Sequence, residues 1–203
     1  MIDTLFEQLS VEVTRPTSLV VCGGVSMVLN YENRLATRDV DCVLVERHVK
    51  HAAESIAAEL DLDCDWLNDN VCVTQSYSAE LLKYKKLYKT YGNLSVYTIA
   101  GLPLLCMKLI SWRPNSSDYE DCLCILNALE GVITIQDVYA AITECYGSTS
   151  LLSVDADNFL KYELKESTYT LDSESIESYK YLFKEGMLEL DDLPEEIQKQ
   201  ITV

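Results

Sequence analysis

Two short segments hold the residue types that chemistry on phosphates requires. In Val21-Cys22-Gly23-Gly24-Val25-Ser26-Met27, an apolar run of β-formers ends at a glycine pair, and a helix-like stretch follows to Tyr31. Paired glycines let the backbone approach a ligand closely, and the free N–H groups of a helix N-terminus attract phosphate. Fourteen residues separate Gly24 from Asp39 in the second segment, Thr37-Arg38-Asp39-Val40-Asp41-Cys42-Val43. In a strand, residues i and i+2 point to the same face, so Asp39 and Asp41 stand side by side. Neighbouring carboxylates repel each other unless a cation lies between them. Hard oxygen donors at that spacing suit Mg²⁺ bridged to substrate phosphates, and with two metals they would clamp an in-line phosphoryl displacement. A phosphate cradle with metal-holding carboxylates is the minimum equipment for nucleotidyl transfer. Singly, Gly-Gly is a turn and Asp-x-Asp a solvated strand edge; the strand, Gly-Gly, helix, strand order joins them.

The elements that must position these residues read as mixed α/β in the first half. Ile2–Leu9 is a short amphipathic helix, Leu19–Cys22 a strand, Val25–Tyr31 a helix and Val40–Glu46 a β-branched strand. His48–Leu60 carries Val49, Ala52, Ala53, Ile56, Ala57 and Leu60 at helical spacing. Val71–Thr74 and Leu94–Ile99 are the next strand candidates. The second half reads as helical. Leu102–Ser111 is apolar but carries Lys108, and Ser117 to Glu120 has the spacing of a capping box before Leu123, Ile125, Leu126 and Leu129, with a stop at Gly131. Thr134 with Asp137 caps a helix to Tyr146 that stops at Gly147, and further helices are expected over 155–165, 173–185 and 194–201. The expected fold class is α+β, a small mixed sheet flanked by helices and followed by a helical C-terminal part. The division falls near residue 100, giving a core at 1–100 and a helical region at 101–203 packed on it.

Composition restricts the partners. Of 203 residues 48% are hydrophobic and 24% charged, enough to bury a core. Sixteen Lys and Arg against 33 Asp and Glu give a net charge of −17, which opposes wrapping a nucleic acid or lying on an anionic membrane. Any polyanion site must be a local basic island. Residues 79–113 hold six basic residues and one acid; residues 114–160 hold eight acids and no Lys or Arg. No stretch reads as a secretory signal or a membrane span, and the location expected is cytoplasmic. Cys22, Cys42, Cys72, Cys106, Cys122 and Cys124 sit in apolar runs without a C-x-x-C, as small buried hydrophobes would in a reducing compartment.

The pattern apolar-Gly-Gly, a gap, then Asp-apolar-Asp-apolar resembles the signature of the nucleotidyltransferase superfamily, with the DNA polymerase β-like fold. Trp66-Leu67-Asn68-Asp69, Tyr91-Gly92-Asn93-Leu94, Leu104 to Leu109, Arg113, Asp118 and Asp121 extend the likeness to a minimal bacterial branch. That branch is similar to the nucleotidyl transferase toxins of the abortive-infection type and includes many uncharacterised proteins. The resemblance covers about residues 15–146. It implies that Gly23 and Gly24, with Ser26 beside them and with Arg38 and Arg113, hold a nucleoside triphosphate. It implies that Asp39 and Asp41 hold Mg²⁺ and that Lys108 reaches a phosphate or the transition-state charge. Asp121, with Asp118, would orient Lys108 or Arg113 or assist the acceptor hydroxyl. Without the resemblance, Lys108 reads as a snorkelling lysine and the two aspartates as charge at a helix N-terminus. One departure stands out: fully active members of the superfamily carry a third carboxylate on a later strand, and Leu94–Ile99 has none. Asp69 and Asp65 are the available substitutes.

Other features admit two readings each. Lys83-Tyr84-Lys85-Lys86-Leu87-Tyr88-Lys89 with Tyr91 interleaves cations and aromatics, a surface for RNA such as a tRNA end, or simply a solvated face with half-buried tyrosines. His48 and His51 read as surface residues, and Trp66 and Trp112 as core or interface aromatics. The acidic stretch 185–196 is a solvated helix end or a surface for a partner such as a basic antitoxin. Two functions follow from this. One is a Mg²⁺-dependent enzyme that moves a nucleoside monophosphate from an NTP to a hydroxyl of tRNA, protein or a small molecule, a toxin or phage-defence component being its most specific form. The other is a nucleotide-binding or interaction module on the same fold, with little or no turnover.

Overall fold

The computed structural model describes residues 2–31, 39–113, 116–129 and 133–164, with 177, 180, 181, 183 and 184. The chain divides into two units, Met1–Leu164 and Lys165–Val203. Arg38, Gly131, the 194–201 helix, the 185–196 stretch and most of the 173–185 helix lie outside the described residues.

In the first unit, helix α1 (Ile2–Glu12) leads to β1 (Thr17–Val21), α2 (Gly23–Tyr31), β2 (Val40–Val43) and α3 (Arg47–Leu60). After β3 (Leu67–Asn68) the chain makes 3-10 turns at Asn70–Val73 and Ala79–Tyr84. The hairpin of β4 (Lys86–Tyr91) and β5 (Leu94–Thr98) follows, then helices α4 (Gly101–Ile110), α5 (Asp118–Ala128), α6 (Ile135–Tyr146) and α7 (Val154–Glu163). The sheet runs β3-β2-β1-β5-β4. The β1 strand is antiparallel to β2 and parallel to β5, and β2 is parallel to β3. This is the α+β architecture expected, with the mixed sheet in the first half and helices after it.

Alternation divides the sheet between two cores. Leu19, Val21, Val40 and Cys42 pack with Phe6 and Leu9 of α1 and with Val49, Ala53 and Ile56 of α3. Val20, Cys22 and Val43 face the other way, onto Leu104, Leu105 and Leu109 of α4, Ile125 of α5 and Ile142 of α6. Register places Val20 opposite both Val43 and Tyr97, so Asp41 and Cys22 share the face that α4 covers. On that face β5 offers Ser95 and Tyr97 and no carboxylate.

Three local expectations change. The 71–74 segment is a 3-10 turn, because the strand beside β2 ends after two residues at Asn68. The 83–91 segment, read as a solvated face or an RNA surface and not as a strand, is an edge strand from Lys86 on, paired to β5 and bulged between Leu87 and Lys89. Its lysines suit an edge, where charge discourages pairing with another chain. Helix α5 starts at Asp118 without the Ser117 box; Ser116 Oγ instead accepts from the Asp118 N–H at 3.1 Å. The Thr134–Asp137 capping box and the Gly147 stop, at φ +83°, stand as read.

Just past the end of β2, Leu44 adopts φ +53° while 64% exposed. A left-handed leucine costs about 1–2 kcal/mol. Leu44→Gly removes that strain and sacrifices little packing, so it is expected to stabilise the protein by about 1 kcal/mol, raising Tm by about 2–4 °C in a thermal melt.

Candidate active site

The site begins where β1 gives way to α2. Gly23 takes φ +60°, and a Cβ built on it would lie 2.8 Å from Asp41 Oδ2. Only glycine meets both demands, the left-handed backbone and the close carboxylate. The Cys22 N–H donates to the Asp41 carbonyl at 2.9 Å, which fixes β2 against the glycine turn. Asp39, Asp41, Gly23 and Gly24 line one cleft of about 550 Å³, together with Lys108, Trp112 and Arg113 from the end of α4 and Asn70, Thr74 and Gln75 from the turn after β3. Burial, and then the neighbouring Asp39, push the Asp41 carboxyl above the usual carboxylate range; Lys108 and Arg113 pull it back in part.

The cations are held from behind. Helix α4 is apolar on every side and its residues from Leu104 to Ile110 are buried, Lys108 among them at 6% exposure. A lysine in such a place must be paired. Its Nζ lies 3.2 Å from Asp118 Oδ1 and 2.8 Å from Asp121 Oδ2, both carboxylates being fully buried. Spaced i, i+3 at the start of α5, these two aspartates share a helix face turned to α4. Asp118 is the hub. Its Oδ2 accepts from the Arg113 N–H and Nε at 3.1 Å and from Ser116 Oγ at 2.8 Å, while its Oδ1 accepts from Arg113 Nη2 at 3.3 Å. Burial raises the Asp118 carboxyl, but the bonds from Arg113 and Ser116 and the charge of Lys108 outweigh it and hold it below its ordinary value. The Arg113 side chain remains 67% exposed and lines the cleft.

Of the residues expected at the site, Gly23, Gly24, Asp39, Asp41, Lys108 and Arg113 come together in one cleft. Asp121 stands one step back, behind Lys108. Ser26 is buried and not in the cleft wall; its hydroxyl donates to the Val21 carbonyl at 3.0 Å and braces the strand-to-helix turn. Arg38 lies outside the described residues. The substitutes for a third carboxylate are elsewhere. Asp69 binds Lys50 Nζ at 2.7 Å, a bond that holds its carboxyl below the ordinary value, and Asp65 is exposed on the approach to β3. Sequence reasoning gave no role to the cleft residues Asn70, Thr74 and Gln75, whose only signal was their place just after the strand that pairs with β2. Trp112, read as core or interface, also lines the cleft.

As a metal site the pair is sparse. Among the described residues no three His, Cys, Asp or Glu side chains converge. Asp39 and Asp41 suit a hard cation whose other ligands come from phosphate oxygens and water, as Mg²⁺ prefers. His48 accepts from Arg15 at 3.1 Å and bonds Thr17 Oγ1 at 2.9 Å, while His51 pairs with Glu54, so both serve the surface. The basic segment is compensated in part. Lys83 pairs with Glu80, Lys89 lies 3.7 Å from Asp3, Tyr84 bonds Glu144, and Tyr88 and Tyr91 bond Asp3. All eight cysteines are free thiols, and burial pushes Cys22, Cys106 and Cys122 far up. No described helix is long and apolar enough to cross a membrane.

Gly23→Ala should cost about 1–2 kcal/mol of stability from backbone strain and drive the Asp41 carboxylate aside; chemical denaturation and a Mg²⁺-NTP thermal shift measure the two effects, the shift being expected to vanish. Asp118→Asn should destabilise by about 3 kcal/mol at pH 7, since Lys108 keeps only Asp121. The Asp118 value is lowered in the folded state, so its contribution is complete above about pH 4 and fades as pH falls through the lowered value. The gap between wild type and Asp118→Asn in unfolding midpoint should therefore hold steady above the ordinary carboxyl range of about pH 4 and narrow as the pH is lowered below it.

No curated protein and no solved structure matches the chain. A family model described as a nucleotidyltransferase of unknown function (DUF6036) matches residues 1–169. That span contains every residue of the cleft and the carboxylates behind it, and the chain belongs to this nucleotidyltransferase family.

Proposed function

We propose that the chain moves a nucleoside monophosphate from an NTP to an acceptor hydroxyl. The observation that carries this reading is the convergence in one cleft of the Gly23-Gly24 turn, the Asp39 and Asp41 carboxylates and the two cations Lys108 and Arg113. Asp39 and Asp41 would hold Mg²⁺, which when bound neutralises triphosphate charge and favours in-line displacement at phosphorus. The glycine turn and the first N–H groups of α2 would receive phosphate oxygens. Lys108 and Arg113, fixed by Asp118 and Asp121, would face the negative charge that grows on the departing pyrophosphate as the acceptor oxygen bonds to the α-phosphorus. A cation already held in position needs no reorganisation when that charge appears, and this is the largest contribution a protein makes to such chemistry.

The absence of a carboxylate from β5 on the Asp41 face, with Asp69 bound to Lys50, favours a second reading, a module that binds nucleotide and transfers little. The acceptor in the first reading is tRNA, a protein or a small molecule, and a toxin or phage-defence role is its most specific form. The ion pairs within the 83–91 segment weigh against that surface as the chief RNA grip. An antitoxin protein would be sought by co-purification.

Label from each of four α-³²P NTPs, offered with Mg²⁺ to a mixture of total RNA and cell extract, should pass to one class of acceptor. Asp39→Ala with Asp41→Ala should abolish transfer, and Lys108→Ala should lower its rate by about 10²–10³-fold. Nucleotide-dependent stabilisation without label on any acceptor would select the binding module instead.

A further inference from the structure

The cleft has two chemically different parts. Asp39, Asp41, Lys108 and Arg113 carry its charge; Asn70, Thr74, Gln75 and Trp112 line the same space with none. Trp112 is half-buried and its ring packs tilted on Phe159 of α7, centroids 5.1 Å apart, and Phe159 in turn meets Tyr119 edge-on at 5.1 Å. An indole fixed from behind and bordering a cleft is a preformed stacking surface that spends little entropy on binding. Asn70 and Gln75 are exposed carboxamides that make no side-chain hydrogen bond among the described residues. Thr74 and Ser76, by contrast, are engaged with each other at 2.7 Å. A carboxamide offers a donor and an acceptor side by side, the complement of a base edge. The other tryptophan, Trp66, is buried and donates to the Ala53 carbonyl at 2.9 Å, away from the cleft wall.

Resting on the nucleotidyl-transfer reading, we propose that Trp112 stacks on the base of the incoming nucleoside triphosphate and that Gln75 hydrogen-bonds its edge. Stacking accepts any base because each has a π-face, and a carboxamide turns over to suit different edges. The subsite therefore separates nucleotides from phosphate-only ligands more sharply than it separates one base from another.

The test is titration of the full chain with ATP, GTP, CTP and UTP, and with inorganic tripolyphosphate, each with Mg²⁺. Tryptophan fluorescence and calorimetry are read together. All four nucleotides should quench the fluorescence and bind about ten- to hundredfold more tightly than tripolyphosphate, the range that base–aromatic stacking supplies. Trp112→Phe should abolish the quench while keeping most of the affinity, because a ring remains. Trp112→Ala should lose the advantage over tripolyphosphate, and Gln75→Ala, an exposed position that leaves folding alone, should weaken nucleotides about threefold without affecting tripolyphosphate. Nucleotides that bind no better than tripolyphosphate, or that bind without quenching Trp112, would overturn the subsite and leave the phosphate site standing. If neither nucleotide nor tripolyphosphate binds, both readings fall.

Discussion

A single buried ammonium organises the functional half of this molecule. Lys108 sits on a helix whose surroundings are apolar, and a lone charge there would cost several kcal/mol of lost hydration. Two buried carboxylates answer it, Asp118 at 3.2 Å and Asp121 at 2.8 Å, and both come from the first turn of α5. The pairing therefore fixes more than one side chain. It sets the approach of α5 to α4, and through Asp118 it captures the Arg113 backbone and guanidinium just past the end of α4. The groups that face the cleft are thus the far ends of a network whose near ends are core.

The arrangement also settles a balance of charge. Two carboxylates behind one ammonium and one guanidinium leave that cluster neutral, while Asp39 and Asp41 stand together on the other wall. Burial and mutual repulsion lift the Asp41 carboxyl above its usual range. Such a group is stabilised by a divalent cation far more than by another lysine, since Lys108 and Arg113 are already engaged. The glycine at position 23 belongs to the same constraint. Its missing side chain makes the room that the Asp41 carboxylate occupies, so the turn and the carboxylate are two halves of one surface.

Much of this was legible in the residue string. The strand, Gly-Gly, helix, strand order and the Asp-x-Asp spacing located one wall of the cleft, whereas the link of Lys108 to Asp118 and Asp121 came only from the family resemblance, the residues by themselves reading as a snorkelling lysine and charge at a helix N-terminus. What could not be read was which partner does which work. Spacing alone cannot say that Asp118 takes five bonds from three residues, nor that Asp69 turns to Lys50, because both depend on contacts between separate elements. The bond that Ser26 makes was hidden for a similar reason: a serine beside a glycine turn suits phosphate, and only the fold shows that its hydroxyl meets the Val21 carbonyl. The β4 strand escaped notice because lysines and tyrosines weaken its alternation, and an edge position tolerates that.

The charge of the whole chain gives this local order its meaning. At −17, the protein repels a triphosphate at long range, and the acids of α5 to α7 add to that field. At physiological ionic strength such repulsion decays over about 8 Å, whereas groups in contact within a cleft are screened much less. With the Lys108 and Arg113 cluster neutral and Asp39 and Asp41 beside it, an anionic ligand would be opposed inside the cleft as well, unless a divalent cation travelling with it cancelled part of the charge. Nucleic acid, whose charge extends beyond any cleft, gains no such relief along its length. Outside the cleft, Lys83 is matched by Glu80 and Lys89 by Asp3, whereas Arg113, though held by Asp118, keeps an exposed side chain on the cleft wall, the place where a small polyanion would meet it.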